Sequence, residues 1–177
     1  MEIPAKRSYP HMGTPPRDVK HHPPIKKNDF HLIFRARSHQ LICFDAAGAR
    51  RWTLDAHGEG TNGSYNNVGG NTPPGLYECM KVEKTLSTES TGTWNAYGPW
   101  YVWLQELEGQ ESIRGRAGVG MHGGGSNSPA PLAPKQGFYP THGCVRLQNE
   151  DLPRLINTIR FAQSQNGRVF LTVTWTA

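Results

Sequence analysis

Long apolar runs are what this sequence most plainly lacks. The longest candidates, His31 to Phe34 and Tyr101 to Leu104, fall far short of the ~18 apolar residues of a membrane helix, so no integral membrane segment is expected. Cysteine is scarce too: three in 177 residues, Cys43, Cys79 and Cys144, do not make a disulfide framework for a chain of this length. One pair, Cys43 with Cys79, could close in an oxidising compartment, which would leave Cys144 as the unpaired thiol that a nucleophile requires. Neither sign of charge dominates, since 19 Lys and Arg face 14 Asp and Glu. That excess favours anionic partners only modestly and cannot choose among nucleic acid, lipid headgroup and acidic wall polymer. The basic residues are scattered and no recognition-helix or RNP-type pattern occurs, so no nucleic-acid partner is expected. The N-terminal MEIPAKRSYPHMGTPPRDVKHHPP carries basic residues with no apolar stretch after them, unlike a secretory signal. The expectation is either a cytoplasmic protein or export by a non-standard route.

At ~150 residues per domain, the length predicts one domain. Residues 1–28, rich in proline and basic residues without apolar periodicity, read as an extended or disordered arm, and its His11, His21 and His22 read as solvated rather than metal-bound. The folded domain is placed at 29–177. FHLIFRA, LICFDA and RRWTLDA alternate as three short strands, joined by tight turns at Arg37 to Gln40 and at Ala47-Gly48. HGEGTNGSYNNVGGNTPPG is almost wholly turn-forming, and so long an irregular segment in a compact domain is often functional. GLYECMKVEK, PWYVWLQELE and RVFLTVTWTA resume the strand pattern. One helix is expected, with Asn149 as N-cap and Leu152, Leu155, Ile156 and Ile159 on its buried face; Pro153 is tolerable because it falls in the first turn. The fold class is therefore mostly β, two packed sheets or an open barrel-like sandwich, with one main α-helix. The aromatics Trp94, Tyr97, Trp100, Tyr101 and Trp103 could stack on a glycan, but aromatics in strands more often fill cores.

Chemistry concentrates in THGCVRLQNED, residues 141–151, and in MHGGG, residues 121–125. A thiol at its ordinary pKa of ~8.5 is a poor nucleophile at neutral pH until a histidine takes its proton. Acyl transfer also needs donors for the oxyanion, and the N–H groups of Gly143 and Cys144 could supply them from a glycine turn. His142 and Cys144 would share one side of an extended segment, with His122 arriving from a neighbouring strand. Two other readings stay open at this point. His122, His142 and Cys144 could ligate zinc, although no fourth ligand is evident, or the Gly-Cys could be an ordinary turn.

Thr141-His142-Gly143-Cys144-Val145-Arg146, preceded by the glycine-flanked His122, resembles the signature of L,D-transpeptidase catalytic domains of the YkuD type. Thr72-Pro73-Pro74-Gly75-Leu76-Tyr77 is similar to the family's Thr-Pro-x-Gly-x-aromatic segment, and the resemblance runs from about Phe30 to the C-terminus. It implies that Cys144 is the nucleophile and His122 its base, oriented by the carbonyl of Gly123. His142 would support the thiolate or leaving group, and Gly143 with Cys144 would form the oxyanion hole. Arg146 would bind a substrate carboxylate, or else form a salt bridge to Asp151. The implied substrate is a peptidoglycan stem peptide and the implied products are a crosslink, an exchanged D-amino acid or a trimmed stem, with no cofactor and no metal. The alternative is a non-catalytic module that binds wall peptide or glycan. Eighteen residues separate His122 from Thr141, with Pro129, Pro131 and Pro134 among them, so a lengthened loop over the site is expected. A wall-acting chain without a leader would be a secretion-system effector, with a delivery or immunity partner, a phage product, or a chain whose leader had been removed; its site of action would be the cell envelope or periplasm.

Overall fold

The three N-terminal strands form where alternation predicts them: β1 (Phe30–Arg35), β2 (Gln40–Asp45) and β3 (Arg50–His57). The structure is a computed structural model that describes residues 23, 25–85, 95–109 and 116–175. Most of the expected arm, and Trp94 of the aromatic group, lie outside the described residues. A 3-10 turn, Ala36–Ser38, joins β1 to β2 and is closed by His39 at φ 55°. The β2–β3 turn is fastened by the Asp45 carboxylate, which accepts from Ala47 N and Ala49 N, both at 2.9 Å, and by Gly48 at φ 78°.

The longer strands β4 (Gly75–Lys84) and β5 (Trp100–Gly109) pair antiparallel, and register shifts at Leu76/Tyr77 and Cys79/Lys81 let two ten-residue strands coil. Two three-residue strands follow, β6 (Gly120–His122) and β7 (Val145–Leu147), and β8 (Val169–Thr174) ends the sheet. The mostly β expectation holds, in a particular form. The eight strands make one closed barrel in the order β1-β2-β3-β7-β6-β5-β4-β8, with β8 returning parallel to β1. Closure is narrowest at the short strands, where β7 pairs with only Ala56 and His57 of β3, and β6 with only Tyr101 to Trp103 of β5.

The main helix, α1 (Leu152–Ser164), buries Leu152, Leu155, Ile156, Ile159 and Ala162 in the same cluster as Leu32, Leu41, Tyr77 and Leu171 of the barrel. Burial of each Leu or Ile side chain contributes roughly 1.5–3 kcal/mol. Asn149, however, is not its N-cap. Asp151 occupies that position without a side-chain cap, Pro153 stands in the first turn, and the Asn149 amide is used elsewhere. Cys43 and Cys79 are both buried and both free thiols, so the pairing considered for them is not made.

Candidate active site

The two shortest strands carry the centre. β6 and β7 run parallel, with Met121 opposite Val145 and His122 opposite Arg146, while β5 places Tyr101 opposite His122 on the other side. His122 thus stands on the strand paired with the one that follows Cys144. Cys144, 9% exposed, sits just before β7 in a small cluster with Tyr101 and Trp103, against which Tyr97 packs. Tyr101 and Trp103 are buried as expected while Tyr97 and Trp100 are half-buried, and this part of the core surrounds the thiol. The Tyr101 hydroxyl donates to the Gly118 carbonyl at 2.8 Å and stands 3.5 Å from Cys144 Sγ.

His122 is buried between two tyrosine rings. Tyr101 stacks on it at 5.5 Å with an interplanar angle of 10°, and Tyr97 meets it edge-on at 5.0 Å. Its Nδ1 lies 2.7 Å from the Gly123 carbonyl, which can only accept, so Nδ1 carries the proton and Nε2 keeps a lone pair. Burial first, and then the nearby positive Arg146, push its pKa down to about 3; the Gly123 bond opposes this without reversing it. At neutral pH the ring is an uncharged proton acceptor.

Arg146 was expected to face a substrate carboxylate or Asp151. Its guanidinium turns instead to backbone carbonyls, because it is buried between the two ends of the 123–140 loop and the turn at Ala96: Nε donates to Tyr139 O at 2.9 Å, and Nη1 to Gly123 O at 2.7 Å, to Gly124 O, and to Ala96 O at 3.5 Å. One oxygen, that of Gly123, therefore accepts from both His122 and Arg146. Burial lowers the Arg146 pKa to about 10, with the Cys144 charge opposing, so the guanidinium stays protonated at neutral pH. The charges that act on Asp151 come from Glu150, Asp55, Arg154 and Lys135, with burial the largest influence.

The turn before Cys144 differs from an extended segment. Gly143 has φ +110°, a region closed to side chains, and a Cβ there would lie 1.7 Å from Arg116 Nη2. The chain therefore bends, and His142 is exposed whereas Cys144 is buried. The Gly143 N–H is occupied: it donates to Thr141 Oγ1 at 3.0 Å, because the threonine hydroxyl folds back to donate to Cys144 O at 2.9 Å. A paired Gly143 and Cys144 oxyanion hole, as expected from the sequence, is not what this turn presents. Thr72, from the Thr-Pro-Pro-Gly stretch, brings its hydroxyl within 3.1 Å of the same Cys144 carbonyl and 3.2 Å of Gly58 O.

Arg116 escaped the sequence reading. Buried, it donates from Nη1 to the carbonyls of Tyr65 (3.0 Å) and Asn71 (2.6 Å) and from Nη2 to those of Gly70 (3.2 Å) and His142 (3.0 Å). It fastens the long glycine-rich loop to the turn that bears Cys144. Asn62, Val68, Gly69, Arg116, Ala117 and His142 line a cleft of 370 Å³ there. The 123–140 loop, expected over the site, contributes no residue to that lining. It is held on the other flank by Asn149 Nδ2, which donates to Pro131 O (2.9 Å) and Ala133 O (2.7 Å), and by Gln136 Nε2, which donates to Leu147 O (2.7 Å).

The remaining thiols are chemically quiet. Burial pushes Cys43 up to about 12 and raises Cys79 as well, so neither offers thiolate at neutral pH. Among the described residues His122, His142 and Cys144 are not gathered as metal ligands; the group with that disposition is His39, His57 and Glu59.

The family model for the YkuD L,D-transpeptidase catalytic domain matches residues 30–169, the whole span that builds this centre. The chain belongs to this family. The YkuD barrel is similar to Bd1075 of Bdellovibrio bacteriovorus, at 12% identity and TM-score 0.59, over 92% of this chain and 52% of the other. It is similar also to the helical cell shape determining protein Pgp2 of Campylobacter jejuni, at 19% identity and TM-score 0.53, over 84% of this chain and 48% of that one. These likenesses are of fold, and the YkuD chain spans about half the length of each. No curated protein sequence matches it.

Proposed function

We propose that this YkuD domain is a cysteine acyl-transfer enzyme acting on peptidoglycan stem peptides. The observation that carries the reading is the neutral His122, its Nδ1–H fixed on Gly123 O and its ring stacked on the tyrosine whose hydroxyl touches Cys144 Sγ. Membership of the family supports the substrate class. In this reading His122 Nε2 takes the Cys144 proton, and Sγ attacks the carbonyl carbon of the third stem residue. The tetrahedral adduct collapses as the imidazolium returns its proton to the departing D-alanine amine, leaving a thioester on Sγ. An incoming amine, deprotonated by the same ring, then attacks the thioester and restores the thiol, forming a new amide; water in that place yields a trimmed stem.

The other residues act through position. The Cys144 N–H is the backbone donor to the oxyanion, and Gly143 N–H would join it only after leaving Thr141 Oγ1. Arg146 holds the Gly123 carbonyl that fixes the base, and His142 meets the substrate along the cleft it lines. The test is mass spectrometry of purified tetrapeptide muropeptides incubated with the protein and excess labelled D-amino acid. Loss of the terminal D-alanine, with label incorporated or a tripeptide formed, supports acyl transfer provided that Cys144→Ala abolishes it. Tight binding of the muropeptides without any product would establish a binding module instead.

A further inference from the structure

A second cluster of ligand-type side chains, His39, His57 and Glu59, borders the chain that leads into the Cys144 turn. His39 closes the β1–β2 turn, its N–H donating to Ala36 O at 3.3 Å and its carbonyl accepting from Ala56 N at 2.9 Å. His57 ends β3, and Glu59 follows two residues later. The two imidazoles stack with centroids 3.9 Å apart and an interplanar angle of 11°, and Phe138 covers the other face of His57 at 4.0 Å. Each Nδ1 faces one oxygen of the same carboxylate, and the two rings would tilt out of this parallel stack to direct their in-plane lone pairs at one ion. His39 Nδ1 is 3.3 Å from Glu59 Oε1, and His57 Nδ1 is 3.4 Å from Oε2.

Hydrogen bonding accounts for one side of the arrangement, where Glu59 Oε2 accepts from Gly58 N at 3.1 Å and pairs with His57, but not for His39. His39 Nδ1 is a buried atom with no hydrogen-bond partner, since its 3.3 Å approach to Glu59 lacks hydrogen-bond geometry. Buried polar atoms are nearly always satisfied by protein, ordered water or an ion, so the orphan nitrogen beside a carboxylate marks a place for a partner. One ligand atom from each of the three residues falls within 4.8 Å of the others. Two imidazole nitrogens and one carboxylate suit zinc and its neighbours cobalt, nickel and copper, whereas calcium and magnesium prefer oxygen shells. The side chains are 28–42% exposed, so an ion can enter. A recess of 190 Å³ bounded by His57, Glu59, Phe138, Tyr139 and Pro140 gives room for water as a fourth ligand.

We propose that His39, His57 and Glu59 form a site for a zinc-class divalent cation. The ion takes no part in acyl transfer, and the site does not depend on that reading. Its consequence is mechanical. The Glu59 carbonyl accepts from Thr141 N at 2.9 Å and Gly60 bridges Thr141 in parallel, so an ion at Glu59 would brace the β1–β2 turn and the end of β3 against the chain entering the Cys144 turn.

Calorimetric titration of the full chain with Zn²⁺ at neutral pH, alongside visible spectroscopy of the Co²⁺ complex and thermal melts, tests this. The expected result is one equivalent bound with micromolar or tighter Kd, equally in wild type and Cys144→Ala, with a raised melting temperature and no thiolate charge-transfer band. His57→Asn and Glu59→Gln should each weaken binding by at least about ten-fold and abolish the zinc-dependent rise in melting temperature. Binding untouched by both substitutions, a sulfur band that vanishes in Cys144→Ala, or no saturable binding below millimolar Zn²⁺ would each overturn the proposal.

Discussion

At Gly123 a single carbonyl oxygen receives the Nδ1–H of His122 and an N–H of Arg146, so in the proposed mechanism Arg146 positions the base. Lysine keeps the charge but not the planar fork, so Arg146→Lys should lower kcat about ten- to a hundred-fold with KM nearly unchanged. Steady-state kinetics on a tetrapeptide stem reads this directly; a KM rise of that size at constant kcat would restore the substrate-carboxylate role. His122 makes a second prediction, about stability. Its folded pKa of about 3 lies below the ordinary histidine value, so the unfolded chain binds the proton first as pH falls. The stabilisation from a neutral His122 is complete above pH ~6.5 and is lost progressively between there and ~3, on the order of several kcal/mol. Denaturant unfolding at pH 7 and pH 4.5 should show a smaller acid loss in His122→Asn than in wild type. Equal losses would mean that His122 is not held neutral by the fold. These assignments were only half legible in the sequence. Cys144 and His122 carry side-chain chemistry that a spacing displays, whereas Arg116 and Arg146 act on carbonyls of distant loops, and a carbonyl leaves no mark on a sequence.

Among the elements, β1 to β5 and β8 were readable because each offers six or more residues of alternating or continuous apolar character. β6 and β7 were not. Three residues are too few to show a period, and both are buried throughout, so nothing alternates. Yet these two strands pair His122 with Arg146, two residues after Cys144. The helix was readable from Leu152, Leu155, Ile156 and Ile159, but its entry was not, since an Asn three residues before a helix has the look of a cap. Asn149 is buried, accepts from Gly124 N at 3.0 Å and donates to Pro131 O and Ala133 O. The contrast is testable by urea unfolding. Asn149→Ala should cost about 1–3 kcal/mol, and Asn149→Asp should cost at least as much, because its carboxylate would face two carbonyls. A well-tolerated Asp would return Asn149 to the capping role.

For the molecule as a whole, closure rests on the parallel pairing of β1 with β8, the two ends of the barrel in sequence. The segment just before β1 takes part in it. The Asp29 carboxylate accepts from Lys26 N at 2.9 Å and from Arg168 N at 2.8 Å, and Asn28 Nδ2 donates to Gln165 O at 3.0 Å. A chain beginning at Phe30 should therefore melt measurably lower than one beginning at Ile25. Equal melting temperatures would show that the segment 25–29 adds nothing to closure. The closed sheet in turn holds β5, β6 and β7 side by side, so the chemistry proposed for Cys144 depends on the whole ring of strands. The measurement that bears most directly on that chemistry is the intact mass of the protein after mixing with a tetrapeptide stem, quenched early. The account predicts a mass gain equal to the stem less its terminal D-alanine, present in Cys43→Ala and Cys79→Ala and absent in Cys144→Ala. An adduct that persists in Cys144→Ala, or stem turnover by that variant at the wild-type rate, would contradict it.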